Sequence, residues 1–294
     1  MSQDDRTVLA PIKLNLYLHI TARRESGYHE VDTLIVFTDF GDNVRVEPSD
    51  RLEIAVEGPF ADDLPEAQAD NLVLKALDRM RREVGVEAGA RVTLIKNIPV
   101  AAGVGGGSSD AATAMAAAAK MWNLPKSAMT PMLKVAAKVG ADLPACLFRK
   151  PCFARGYGEV LDEAPQMATM GVLLVNPGIK VSTPAVFERR RGGFSPFMAD
   201  SSAQLRTIPA LLEFLKEREN DLTEAAISLC SPIEDILWTF DDIKDCRLAR
   251  MSGSGATCFG LFDTVEAAEA AAASFTNPNW WARAAKLTMP DPIF

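Results

Sequence analysis

Four glycines and two serines are crowded into one stretch, Pro99 to Ala112, which has the residue types of a phosphate-binding loop. Glycine reaches positive φ without steric cost, so the main-chain N–H groups of such a run can turn towards one point. An alanine-rich segment follows that predicts a helix over 111–122, and the free N–H groups of its first turn would add to the site. Ser108, Ser109 and Asp110 stand where N-cap residues are expected. The stretch therefore predicts an anion site for phosphate, with a flexible turn before a capped helix as the alternative.

Better-known phosphate loops do not fit this stretch. A Walker loop has lysine before its hydroxyl residue, whereas here Gly107 precedes Ser108. The dinucleotide fingerprint has its third glycine where Ser108 stands, which weakens a nicotinamide dehydrogenase as an alternative. The glycine loop of protein kinases comes with further motifs, and none is visible.

A second group of polar residues lies near the start of the chain. Residues 9–20 alternate strongly between apolar and polar types, which predicts a half-buried strand. Its polar face would carry Lys13, Asn15, Tyr17 and His19. Lys13 and Asn15 would lie roughly 7 Å apart along the strand, one repeat from each other. The alternative for Lys13 is a solvated lysine at a sheet edge.

The rest of the chain predicts alternating strands and helices in two domains. The first half predicts strands over 31–37, 42–46, 52–56 and 91–98, and helices over 71–84 and 128–139. The second half predicts strands over 172–175, 256–262 and 281–287, and helices over 182–188 (with Thr183 as its cap), 208–218, 222–229, 232–240 and 265–275. A composition change near Tyr157 places the domain boundary there, which gives domains 1–156 and 157–294.

Composition excludes several classes of function. The 294 residues carry a net charge of −8, and the longest basic tract is three arginines, so a nucleic-acid partner is not expected. The five cysteines are odd in number and lack C-x-x-C spacing, which favours buried reduced thiols over zinc or disulfides. The polar N-terminus and the shortness of the most apolar run, 111–119, predict a cytoplasmic protein with no membrane partner.

Three separated motifs now stand in order: Pro11-Ile-Lys-Leu-Asn-Leu16, the glycine stretch, and Ser252-Gly-Ser-Gly-Ala-Thr257. This set resembles the GHMP small-molecule kinases, named for galacto-, homoserine, mevalonate and phosphomevalonate kinases. Within that superfamily the chain is most similar to the branch that acts on a cytidine diphosphate derivative. The motifs that narrow the resemblance are Gly27-Tyr-His-Glu30, Gly140-Ala-Asp-Leu-Pro144, Ala154-Arg-Gly-Tyr-Gly-Glu159 and Asn220-Asp-Leu222.

The resemblance implies a fold and an activity. The fold would be α+β, the two-domain GHMP kinase fold, with an N-terminal ATP-binding domain like ribosomal protein S5 domain 2 and a ferredoxin-like C-terminal domain. The activity would be ATP-dependent phosphorylation of the 2-hydroxyl of 4-diphosphocytidyl-2-C-methyl-D-erythritol, in the non-mevalonate route to isoprenoids. Departures from the family pattern at Ile12, Ser26 and Val104 alter no group that this reaction needs.

The resemblance also implies roles for individual residues. It gives Lys13 and Asp142 as the catalytic pair, against a structural salt bridge, or helix capping by Asp142, as alternatives. Mg²⁺ would bridge phosphate oxygens beside a serine hydroxyl, although no residue pattern fixes its ligands. The cytidyl substrate would be bound by Asn15, Tyr28, His29, Thr183 and Phe187. ATP would be bound by Asn71 and by the loop residues Pro99, Val100, Ala101, Ala102, Gly103, Val104, Gly105, Gly106, Gly107, Ser108 and Ser109.

Two alternatives of different kinds stay open at this level. One is another GHMP kinase, acting on mevalonate, homoserine or a sugar, which would differ in its acceptor pocket. The other is a non-catalytic nucleotide-binding protein built on the same fold. The sequence leaves the oligomeric state open.

Overall fold

One long strand connects two groups of β-strands, and helices cover both groups. The computed structural model describes residues 7–25, 27–64, 71–100 and 102–293. Its strands are β1 Thr7–Arg23, β2 His29–Ser49, β3 Leu52–Glu57, β4 Gly89–Ile95, β5 Cys152–Gly156, β6 Val160–Glu163, β7 Gly171–Asn176, β8 Leu248–Met251, β9 Cys258–Phe262 and β10 Trp281–Thr288. Its α-helices are α1 Leu72–Val84, α2 Gly106–Met121, α3 Met129–Val139, α4 Leu143–Phe148, α5 Thr183–Arg189, α6 Ile208–Lys216, α7 Thr223–Ile227, α8 Pro232–Asp241 and α9 Val265–Ala271.

Strand β2 organises the sheet. It pairs antiparallel with β1, β4 and β5, while β3 lies parallel to β4. Strand β6 pairs antiparallel with β5, and the remaining strands follow in the antiparallel order β10, β7, β9, β8. The two groups meet where Leu287 of β10 pairs with Thr38 of β2. The predicted strands over 31–37 and 42–46 are thus two parts of one strand.

Strand β1 is buried on both faces, so the predicted half-buried strand is wrong in this respect. Every residue from Ala10 to Ile20 is buried. Apolar side chains such as Leu14 lie in the core, and helix α2 packs against the strand. Because the strand is covered, its polar side chains need partners inside the protein. Lys13 bonds Asn15, and the hydroxyl of Tyr17 donates to Asp32 (2.9 Å).

Helix α2 begins at Gly106, five residues before the predicted start. Its N-cap is Gly105, in the left-handed region (φ 66°), and no side chain caps it. The N-cap role expected for Ser108, Ser109 and Asp110 is therefore wrong, since all three lie within the first turns. Their small side chains allow the helix to start tightly against β1, where the Ser109 hydroxyl donates to the Pro11 carbonyl (2.7 Å).

Smaller differences concern single elements. Thr183 is not a cap: it is the first residue of α5, and Ser182 is the N-cap. Strand β8 was not expected, because four residues next to a glycine-serine turn give too short a pattern. In the part of the chain that the structure describes, every helix is too short or too polar to cross a membrane.

Candidate active site

A cavity of about 550 Å³ opens at the N-terminal end of helix α2. It is lined by most of the residues expected at the site: Lys13, Asn15, Asn71, Pro99, Val100, Ala102, Gly103, Val104, Gly105, Gly106, Gly107, Ser108, Asp142, Thr183 and Phe187. The fold thus brings Asn71 and the glycine stretch together with residues of β1 and α5. Ala101 lies outside the described residues. The cavity is large enough for a small molecule with a phosphate chain.

Lys13 and Asp142 form an ion pair at one wall of the cavity. Lys13 Nζ lies 3.1 Å from Asp142 Oδ1 and donates to Asn15 Oδ1 at 2.7 Å. The lysine side chain is only 2% exposed, whereas the aspartate side chain is 41% exposed. Asp142 directly precedes helix α4, but its side chain makes no capping hydrogen bond. The carboxylate is therefore held by a buried ammonium and open to a ligand, as a proton acceptor needs to be.

Asn15 holds the lysine in this position. Its side-chain amide donates to the Thr33 hydroxyl (2.9 Å), and its main-chain N–H donates to the Ser252 hydroxyl (3.1 Å). The Oδ1 atom that accepts from Lys13 is thereby fixed in orientation. The glycine loop lies against the same lysine, since a Cβ built on Gly105 would meet Lys13 Cε at 2.9 Å and Asp142 Oδ2 at 3.6 Å. The ion pair and the N-cap of α2 are therefore direct neighbours.

A buried ion cluster lies on the other side of the loop. Lys96 Nζ donates to Asp110 (2.9 Å) and to Asp42, and all three side chains are almost fully buried. The second oxygen of Asp42 accepts from the main-chain N–H groups of Asn97 (2.5 Å) and Ile98 (3.0 Å). Burial and the nearby Asp42 charge raise the pKa of Asp110, although Lys96 acts in the opposite direction. The cluster joins the start of the glycine stretch to helix α2 and so holds both ends of the loop.

The turn over residues 252–257 packs against the glycine stretch. The main-chain N–H and the hydroxyl of Thr257 both donate to the Ala102 carbonyl, at 3.2 and 2.5 Å. Gly103 has a φ of 75°, and a Cβ built there would lie 1.9 Å from the Gly255 carbonyl oxygen. The contact between the two loops therefore needs glycine at position 103.

We expect Gly103→Ala to destabilise the protein by about 1–3 kcal/mol, because the new methyl group is strained and collides with main-chain atoms. Gly107→Ala is the matched control, since it lies in helix α2 and its nearest neighbour is a Leu72 methyl group at 3.9 Å. It should leave the unfolding free energy unchanged or raise it by up to about 1 kcal/mol, because alanine is the better helix former. Urea unfolding of both variants measures the difference, and equal stability would contradict the tight contact.

Two pairs of aromatic rings lie at the cavity, and one ring of each pair belongs to its lining. The ring centroids of His29 and Phe187 are 5.2 Å apart with an angle of 33°. Those of Tyr28 and Tyr157 are 5.6 Å apart and nearly edge-on. Tyr28 and His29 do not line the cavity themselves, but each contacts a ring that does. The structure thus brings the three expected substrate-binding aromatic residues to the cavity and adds Tyr157.

His29 lies in a positively charged environment. Partial burial and the charges of Arg23 and Arg190 lower the pKa of its imidazole. The ring is therefore neutral at physiological pH, with one N–H donor and one acceptor nitrogen. A neutral imidazole can match a base edge that presents both a donor and an acceptor.

We expect Arg190→Gln to raise the pKa of His29 towards the ordinary value of about 6.5, because a positive charge that opposes protonation is removed. The sequence contains only two histidines, so NMR titration can follow His29 directly. As pH falls, affinity for a cytidyl ligand should decline at a higher pH in the variant than in the wild type. Arg189→Gln, an exposed neighbour, should leave the titration unchanged. An unaltered His29 titration in Arg190→Gln would disprove the electrostatic effect.

Several residues that line the cavity were not predicted from the sequence, and one predicted residue of the glycine loop lies outside the cavity lining. Lys96, Asp110 and Ser254 line the cavity, and the Ser254 hydroxyl lies 2.8 Å from that of Thr183. Ser109 does not line the cavity, because its hydroxyl bonds Pro11 in the interior. The available signal for Lys96 was a lysine near the end of a predicted strand that leads directly into the glycine run. Asn71 caps helix α1 by accepting from the Val73 N–H (2.9 Å), and it also faces the cavity.

Comparison with known proteins identifies the family. The sequence matches the profile of the GHMP kinases N terminal domain over residues 71–150 and that of the GHMP kinases C terminal over residues 201–278. It is 42% identical over 284 residues to "4-diphosphocytidyl-2-C-methyl-D-erythritol kinase" of Paramagnetospirillum magneticum, covering 96% of this chain and 98% of the relative. A protein of the same name from Rhodospirillum rubrum is 44% identical over 281 residues, covering 94% and 90%. The chain belongs to the 4-diphosphocytidyl-2-C-methyl-D-erythritol kinases.

Solved structures agree with this family assignment. A crystal structure of 4-(cytidine 5'-diphospho)-2C-methyl-D-erythritol kinase superposes with a TM-score of 0.76 at 29% identity, covering 96% of this chain and 98% of the other. Homoserine kinase from Cytophaga hutchinsonii shares the fold, with a TM-score of 0.70 at 16% identity and coverage of 99% and 97%. The two-domain GHMP kinase fold is thus confirmed. As a member of this kinase family, the protein is a phosphotransferase that takes its phosphoryl group from ATP. The boundary near Tyr157 and the residue roles stay predictions.

Proposed function

We propose that this kinase transfers the γ-phosphoryl group of ATP to the 2-hydroxyl of 4-diphosphocytidyl-2-C-methyl-D-erythritol, in the cytoplasm, for isoprenoid precursor synthesis. The observation that carries the proposal is the Lys13–Asp142 pair, 3.1 Å apart and directly beside the N-cap of α2. A phosphate site and a proton acceptor are thereby adjacent in one cavity. The substrate follows from the names of relatives that are 42–44% identical over nearly the whole chain.

The glycine loop would bind the triphosphate. Because the N-cap of α2 is Gly105, no side chain covers the first turn of the helix. The free N–H groups of that turn and the positive end of the helix dipole would bind the negatively charged phosphates. Phosphoryl transfer passes through a loose transition state, so that positioning and charge stabilisation supply most of the catalysis. The buried cluster of Asp42, Lys96 and Asp110 would keep the loop in its binding conformation.

Asp142 would accept the proton of the attacking hydroxyl. The hydroxyl oxygen forms a bond to the γ-phosphorus, the bond from that phosphorus to the β,γ-bridging oxygen breaks, and ADP leaves. The proton goes to the Asp142 carboxylate, which is held by Lys13. Lys13 would also stabilise the negative charge that develops on the transferred group.

Mg²⁺ fits the donor groups of the cavity. In ATP sites the ion is usually held by one or two carboxylates together with phosphates and water. The Ser108 hydroxyl faces the cavity close to Gly140. This hydroxyl would hold the ion together with phosphate oxygens and water, and the ion would supply positive charge to the phosphates, while the Asp142 carboxylate stays free to accept the proton.

The aromatic rings at the cavity would bind the cytosine. Tyr28 and Phe187 offer ring faces for stacking, and neutral His29 offers a donor and an acceptor to the base edge. The hydroxyl of Thr183, paired with Ser254, would bind an oxygen of the sugar or diphosphate. Asn15 would contribute mainly through Lys13, because its Oδ1 atom accepts from that lysine.

An ADP-release assay with a panel of acceptors tests the proposal. ADP should form with 4-diphosphocytidyl-2-C-methyl-D-erythritol, and the product should carry its new phosphate on the 2-hydroxyl by ³¹P and ¹H NMR. Mevalonate, homoserine and galactose serve as comparison acceptors. Preference for one of these would replace the proposed substrate by another GHMP kinase substrate, and absence of ADP with every acceptor would favour a non-catalytic nucleotide-binding protein.

A further inference from the structure

Tyr157 is an aromatic residue of the site to which no role has yet been given. It lies in the turn between β5 and β6, lines the cavity and is 42% exposed. Its ring meets that of Tyr28 edge-on, with centroids 5.6 Å apart and an interplanar angle of 65°. An exposed aromatic pair contributes little to a protein core, so its place at the cavity points to a ligand.

The turn that carries Tyr157 is tightly fixed. The Tyr157 N–H donates to Glu159 Oε2 (2.6 Å), and the Gly158 N–H donates to the Arg155 carbonyl (3.0 Å). A Cβ built on Gly158 would lie 2.9 Å from the carbonyl oxygen of Ala141, so the turn rests on the segment that carries Asp142. The ring of Tyr157 thus starts from a rigid backbone beside the catalytic carboxylate.

The exposed ring of Tyr28 needs a neighbouring group that holds it in place. It follows a short turn in which the Gly27 N–H donates to the Arg24 carbonyl and the Arg24 N–H donates to the Tyr28 carbonyl, both at 2.9 Å. Its side chain is 69% exposed, and a side chain so open to water changes rotamer rapidly. Stacking on a base requires the ring to be fixed in one orientation. The conformational entropy lost in fixing it weakens binding unless the ring is already held.

We propose that Tyr157 is a positioning residue that holds the ring of Tyr28 for stacking on the pyrimidine of a cytidyl substrate. The inference rests on the proposed function, because it takes the ligand to be a cytidine diphosphate derivative. Strand pairing supports it: Gly156 of β5 lies opposite Val31 of β2, so the turn after β5 and the residues before β2 share one end of the sheet. An aromatic ring is needed at position 157, whereas its hydroxyl is not.

The experiment compares Tyr157→Phe with Tyr157→Leu by steady-state kinetics and by calorimetric binding of cytidine 5′-diphosphate. Tyr157→Leu should raise the KM for the cytidyl substrate and the Kd for cytidine 5′-diphosphate by about threefold to tenfold, the scale of one lost aromatic pair. The kcat and the KM for ATP should stay at wild-type values, and Tyr157→Phe should restore binding to within about twofold. Trp238→Leu, an exposed aromatic residue outside the cavity lining, is the control.

A double-mutant cycle with Tyr28→Ala shows whether Tyr157 acts through Tyr28. In the Tyr28→Ala background, Tyr157→Leu should add no further loss of affinity. The inference is overturned if Tyr157→Leu binds cytidine 5′-diphosphate like the wild type, if the KM for ATP rises equally, or if the two losses add. Failure of the wild type itself to bind cytidine 5′-diphosphate would instead refute the proposed function.

Discussion

Replacing Asp142 by asparagine should lower kcat by about 10²–10³-fold, because a positioned proton acceptor contributes on that scale. Asparagine keeps the size of the side chain and can still approach Lys13, but it cannot take the proton of the attacking hydroxyl. The affinity for ATP, measured by calorimetry, should change little, since the expected phosphate contacts come from the loop. The coupled ADP-release assay measures kcat, and circular dichroism shows that the variant is folded.

Lys13→Met should cause a loss of similar size, because the charge that orients Asp142 and stabilises the transferred group is removed. The double variant Lys13→Met/Asp142→Asn should be little worse than either single variant, as expected for groups that act as a unit. Asp162→Asn is the matched control, since Asp162 forms an ion pair with Arg155 outside the cavity lining. A folded Asp142→Asn protein that retains more than a tenth of wild-type kcat would exclude the carboxylate as the proton acceptor.

Sequence patterns predicted the parts of the site that depend on residue type within a short span. The glycine stretch predicted a phosphate loop, and strand alternation placed Lys13 and Asn15 on one face, where the structure joins them at 2.7 Å. The pairing of Lys13 with Asp142 came from family resemblance, because nothing local connects position 13 with position 142. The structure shows that the side chains of Lys13 and Asp142 are in contact, which the sequence motifs alone could not show.

Where the sequence prediction failed, tertiary contacts outweighed local preference. Glycine is a poor helix former, which favoured a helix start after the loop, yet Gly106 and Gly107 are helical. The contact of the Ser109 hydroxyl with Pro11 shows why: the helix must begin early to pack against β1. The burial of both faces of β1 was missed for a related reason, since alternation describes one strand and not the elements that cover it.

The ion cluster of Asp42, Lys96 and Asp110 could not be predicted from the sequence for a third reason. Its members lie in three separate segments, and Lys96 is 54 positions from one partner and 14 from the other. A single charged residue within or beside a strand is usually solvated, so pattern analysis does not single it out. Only the fold shows that all three are buried below the glycine loop.

Lys96→Met should destabilise the protein by about 3–5 kcal/mol, more than Gly103→Ala, because it leaves two buried carboxylates without their shared cation. Methionine keeps the length and apolar stem of the side chain, so lost packing contributes little. Lys150→Met is the matched control: its ion pair with Glu163 is exposed, and its removal should cost less than about 1 kcal/mol. Urea unfolding monitored by circular dichroism measures both variants.

Adding Asp110→Asn to Lys96→Met separates charge from packing. The second substitution removes one of the two uncompensated carboxylates, so the double variant should be more stable than Lys96→Met alone. Asp42 would then keep the two main-chain N–H donors at Asn97 and Ile98. Because the cluster joins both ends of the glycine loop, Lys96→Met should also raise the KM for ATP, and the double variant should recover part of that loss. If Lys96→Met unfolds at the wild-type urea concentration, the cluster does not stabilise the fold, and an unchanged KM for ATP would refute its link to the phosphate loop.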